Sequence, residues 1–180
     1  EEFILPFVVD HARPLLRGDD HRARALLGFA SDEAKHIHLF KTFRAEFQRD
    51  FGTDCAVIGT TGAIAKAVLA HHPLGVALAV LHIEWMTQRH YLDSIENDLE
   101  LEPRFKSLLR HHWMDEAQHA RLDTIMVDSI AVGLTPPEIA TGVGDYLKIV
   151  MLIDDELAQQ AAFDLDALAR ATGRTLTPHE

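Results

Sequence analysis

The chain has 180 residues, 47% of them hydrophobic, and a formal net charge of −11. That length makes one domain, residues 1–180, and the acidic balance argues against nucleic acid as a partner. The single cysteine, Cys55, excludes a disulfide framework and a thiolate metal site, no apolar run reaches membrane-spanning length, and no signal peptide is visible, so a reduced cytoplasmic setting is expected.

Glu1 to about Leu16 reads as the end of a helix whose apolar stripe, Ile4, Leu5, Val8, Ala12 and Leu15, is headed by Glu1. The chain lacks an initial Met and opens inside this pattern, so residues of the first helix are expected to be missing. Pro6 is expected to kink this helix and Pro14 to end it. Gly18-Asp19-Asp20 is a turn with a ready N-cap, and a long helix should follow to about Asp50. Residues 51–62, with Gly52, Gly59 and Gly62, read as a loop. Ala63 to His71 reads as a short helix stopped by Pro73, with His71 and His72 as surface or capping residues.

A third long helix is expected from about Leu74 to Asn97. Its inward stripe is Leu74, Ala77, Leu81, Glu84, Gln88, Tyr91 or Leu92, and Ile95. Trp85 and Met86 read as core, His82 and His90 as structural or exposed. Pro103 suits the first turn of a fourth helix running to about Val132, with Gly133 as its C-cap. Thr135-Pro136-Pro137-Glu138 has a capping-box pattern and should open a fifth helix reaching Thr172. Asp154 and Asp155 on it have no His at ligand spacing and read as surface. The pattern is all-α: four core helices, a short extra helix and a C-terminal fifth long helix.

The fourth helix places His112, Glu116 and His119 within roughly 60° of one another. Their stripe continues in Leu108, Leu122 and Met126. Burying such polar groups unpaired costs several kcal/mol, and a metal ion would remove that cost. A second copy lies upstream: Asp32-Glu33-Ala34-Lys35-His36 matches Asp115-Glu116-Ala117-Gln118-His119 at four of five positions. Glu33 and His36 share a stripe with Phe29, Phe40, Phe43 and Phe47. Random placement gives about one Glu-x-x-His in a chain with this many Glu and His, so the doublet alone is weak. The apolar faces, the Asp before each Glu and the third carboxylate, Glu84, strengthen it.

One Glu from each of two helices plus Glu-x-x-His from each of two more is the donor pattern of a di-metal carboxylate bundle. The single carboxylates would be Glu1 and Glu84. Carboxylates with imidazoles suit iron, manganese or zinc. Asp32 and Asp115 fit as acceptors for the outer ring N–H of the opposite helix's His, and Gln88 as a neighbour of the ligands or a pocket wall.

The Asp-Glu-x-x-His doublet resembles the ferritin-like di-iron carboxylate superfamily. His112, four residues before Glu116, is the detail that resembles its para-aminobenzoate N-oxygenase family. The resemblance implies a ferritin-like four-helix bundle with metal ligands at Glu33, His36, Glu84, His112, Glu116 and His119, and the family's first-helix Glu at Glu1. It further implies two iron ions (or manganese), O2 as co-substrate, an electron donor, and a small organic substrate such as an arylamine. A homodimer fits the same resemblance. Two other readings remain open: an iron-handling or peroxide-scavenging protein, and a metal-free helical module that binds a partner.

Overall fold

The computed structural model describes residues 2–59 and 61–174. Among them every regular element is helical: α1 (Ile4–Ala12) with a 3₁₀ turn after it (Arg13–Arg17), α2 (Asp20–Phe51), α3 (Thr61–Leu69), α4 (Pro73–His90), α5 (Pro103–Ala131) and α6 (Pro136–Thr172). A π-helical turn, Tyr91–Ile95, prolongs α4.

Local chemistry explains most of the boundaries. The Asp19 carboxylate accepts from Arg22 N at 3.0 Å and opens α2. Glu102 does the same for Phe105 N at 2.7 Å ahead of α5. At α6, Glu138 Oε2 accepts from both Thr135 N and Thr135 Oγ1, at 2.8 and 2.6 Å. Proline stands first in α4, α5 and α6, where its missing N–H has no helical partner to lose. Pro73 therefore starts a helix rather than stopping one; α3 ends earlier, at Leu69. His72, expected at the surface or in a cap, is the N-cap of α4, its Nδ1 accepting from Leu74 N at 3.2 Å. Pro6 falls in the first turn of α1, so the expected kink has no hydrogen bond to break.

α1 lies antiparallel to α2, as the Glu2–Lys41 ion pair at its far end requires. α2 runs antiparallel to α5: Arg22 reaches Ser129, Lys35 reaches Asp115, and Phe43 stacks on Phe105 with centroids 4.5 Å apart. α5 packs closely on α4, and α4 on α6. The last two run parallel, with Leu74 against Gly142 and His82 bonded to the Tyr146 hydroxyl. The core is built from Ile4, Val8, Phe29, Val76, Val80 and Ile149, which join α1, α2, α4 and α6. α2 and α5 have few close backbone approaches, and side chains fill the gap between them.

Three expectations fail at the surface. Trp85 is 60% and Met86 48% exposed, so neither is core. Met86 borders a groove against Ile153 and Leu157 of α6, and Trp85 stands on an exposed flank of α4. Phe47 is half exposed because α2 outruns the short α1. Leu92 is also exposed; the π turn gives the inward position to Tyr91, which stacks on Trp113.

Candidate metal centre

The space between α2 and α5 is filled by charge. Glu33, His36, Glu84, Glu116 and His119 are all buried, and Glu33 is 0% exposed. Glu33, His36, Glu116 and His119 each offer a ligand atom, and these atoms lie within 4.8 Å of one another. The two antiparallel copies of Asp-Glu-x-x-His meet with approximate two-fold symmetry. His36 Nδ1 is 3.1 Å from Glu116 Oε1, and His119 Nδ1 is 3.1 Å from Glu33 Oε1. The outer nitrogens are crossed in the same way: His36 Nε2 to Asp115 Oδ2 at 3.2 Å, His119 Nε2 to Asp32 Oδ2 at 3.6 Å.

Symmetry breaks at Glu116. Its Oε2 also accepts from His119 Nδ1 at 2.6 Å, and its Oε1 is 2.6 Å from His112 Nε2. Glu84 reaches the same carboxylate from α4. His112 is held between rings, 4.6 Å from His36 and 5.0 Å from Phe40, and Phe29 stacks on His119 at 4.2 Å.

These surroundings set the protonation. Burial alone would raise Glu116, but hydrogen bonds from His112, His119, His36 and Glu84 hold it far below the usual range. Glu33 is also lowered, because the two histidines outweigh its desolvation. Burial would lower the histidines, yet their carboxylate partners push His36 up to about 10 and His119 to about 9. Glu84 is pushed up to about 12 by burial and by Glu116 beside it.

A cation fits this donor set. It is rich in carboxylate and imidazole, without sulfur, as iron or manganese prefers. Several buried atoms also lack a hydrogen bond: both Glu33 oxygens, His36 Nδ1 and His119 Nε2. The 3.1 Å approaches above are therefore close but badly aimed for hydrogen bonding, whereas coordination to an ion between them would satisfy both sides.

The structure thus brings together Glu33, His36, Glu84, His112, Glu116 and His119, and sets Asp32 and Asp115 behind the histidines. Gln88 is engaged elsewhere: its amide donates to the Trp113 carbonyl at 2.9 Å, tying α4 to α5. Glu1 lies outside the described residues. Two relevant side chains escaped the sequence reading. Lys35 Nζ bonds Asp115 at 2.7 Å and Asp32 at 3.2 Å, clamping the two aspartates that back the histidines. Asp123 is buried on the face of α5 that carries Glu116 and His119. Counting four residues from His119 and seven from Glu116 would have found it.

A cleft of about 500 Å³ opens onto this centre. His36 and His112 form its floor, Leu39, Phe40 and Leu108 an apolar wall, and Lys35 and Arg104 part of its rim. Comparison with family models, with curated proteins and with solved structures finds no match for this chain. Among the described residues no helix is long and apolar enough to cross a membrane.

Proposed function

We propose that the chain is a di-metal oxidase or oxygenase that acts, with O2 and an electron donor, on a small organic substrate such as an arylamine. In this reading α1, α2, α4 and α5 form a ferritin-like bundle, and iron is the working metal. The observation that carries it is the convergence of Glu33, His36, Glu116 and His119 within 4.8 Å, in a buried cluster whose Glu33 oxygens have no hydrogen-bond donor.

Glu33, His36, Glu84, Glu116 and His119, with His112 beside Glu116, would hold the ions. The bound pair supplies redox chemistry toward O2 that no side chain of the cluster possesses. The chain does the rest. Glu116 turns one oxygen to His36 and the other to His119, so its charge would serve both histidine sides of the centre. Asp115 orients the His36 ring through its outer nitrogen, and Asp32 stands 3.6 Å from that of His119. Phe29 and Phe40 keep the imidazoles among apolar neighbours. The cleft onto His36 and His112 is roomy enough for a small aromatic molecule, which favours substrate turnover over iron storage or peroxide scavenging.

Metal content measured by mass spectrometry tests this, on protein purified without added metal and again after iron loading. About two iron or manganese ions per chain are expected, and Glu33→Ala should lose them. Oxygen uptake that depends on an arylamine should follow. An intact fold with no metal in either sample overturns the reading.

A further inference from the structure

Asp123 is the least explained charged group in the chain. It is 0% exposed, and neither carboxylate oxygen has a hydrogen-bond partner. Its sequence neighbours on the inner face of α5 are His119 on one side and Met126 on the other, both buried. Burial, together with Glu33 and Glu116, pushes it up to about 8, with His119 pulling the other way. Glu84 feels it as well. Asp123 therefore shares the electrostatic space of the cluster while lying outside the tight group of four. Nothing in the packing of α5 requires a carboxylate at this position. An apolar residue would extend the stripe to Met126 at no desolvation cost.

Resting on the di-metal reading above, we propose that Asp123 is a further carboxylate of the metal centre, balanced by the metal cations and by no hydrogen-bond donor of the protein. Burial supports this: Glu33, Glu84 and Glu116 are the buried acids already placed at the centre. Asp123 is the remaining buried acid among the described residues. It stands one helical turn beyond His119, on the same buried face of α5. Lys35 performs no such duty, since it is half exposed and already shared by Asp32 and Asp115.

The test compares wild type, Asp123→Asn, Asp123→Leu and Glu33→Ala by Mn(II) titration, with free ion counted by electron paramagnetic resonance. Each is also melted with and without Mn(II). Asp123→Asn keeps size and shape and removes only the charge. It should weaken Mn(II) binding by about 10- to 100-fold. Without metal it should melt at or above the wild-type temperature, and Asp123→Leu higher still, because a buried acid with no partner has been removed. Unchanged Mn(II) affinity in Asp123→Asn, with Glu33→Ala losing the metal, overturns the role of Asp123 alone. Failure of both Asp123 variants to fold without metal also overturns it, since the residue would then serve the fold. No Mn(II) binding by the wild type overturns this inference and the di-metal reading together.

Discussion

At Glu116 one carboxylate meets three imidazoles, at 2.6 Å from His112 and His119 and 3.1 Å from His36. Its removal leaves buried, protonated rings without their main counter-charge. Glu116→Ala should therefore cost the metal-free protein about 3–5 kcal/mol, the usual penalty for breaking a buried ion pair from one side, and should abolish metal uptake. Urea unfolding and metal analysis check the two halves; unchanged metal content would remove Glu116 from the ligands. His112 has a narrower task, because the other four donors converge without it. His112→Ala should keep most of the metal but change the absorption spectrum after reduced, iron-loaded protein meets oxygen. An identical spectrum would withdraw the case for N-oxygenase chemistry. The buried cluster drawn from α2, α4 and α5 was legible in the sequence because a repeated motif and apolar neighbours marked it. Asp123 was not, because it stands alone in an apolar run with no His three residues away. Lys35 was not, because a clamp across two helices exists only once they dock.

α4 and α6 cross closely at Gly75 and Gly142. A methyl group on Gly75 would sit 2.8 Å from the Gly142 carbonyl oxygen and 3.0 Å from Tyr146 N, both backbone atoms. Gly75→Ala should destabilise by about 1–3 kcal/mol through forced separation of the helices, despite alanine's better helix propensity. A melting temperature equal to or above that of the wild type would show that the crossing has slack. Helix ends were legible wherever a cap or a first-turn proline wrote them, as at Asp19, Pro103 and Thr135. The exposed flank of α4 was not. Trp85 and Met86 have core-like side chains, and only the placement of α5 and α6 leaves them exposed. The π turn at Tyr91–Ile95 carries no sequence signal of its own, yet it is where Tyr91, not Leu92, meets Trp113.

For the molecule as a whole, the buried cluster should make stability depend on pH and, in the di-metal reading, on metal. His36 and His119 titrate near 10 and 9 in the fold against an ordinary 6.5. Between those limits the folded chain keeps protons that the unfolded chain gives up, so stability falls as pH rises from about 6.5 to 10. Asp123, raised to about 8, and Glu84, raised to about 12, act in the same direction. Glu33 and Glu116 are lowered, so their contribution is lost only in acid, below about 4.5. Calorimetry of metal-free protein should show a melting temperature that drops steadily from pH 6.5 to 10. Loaded protein should show a flatter profile, because metal takes the place of those protons. A flat metal-free profile would mean that the cluster does not hold them.

The crossed support of the two histidines also has a consequence in time. Asp115, which backs His36, lies 79 residues further along the chain. At about 5–20 residues per second of synthesis, roughly 4–16 s pass between the appearance of His36 and that of its partner. Over that interval the nascent chain gains Glu84 but shows only one Glu–His pair, with no orienting acceptor for His36 and no Glu116 or His119 from α5. A passing cation meets only half a site. In the di-metal reading, loading would wait until α5 has left the ribosome and docked, so the metal would enter a finished fold.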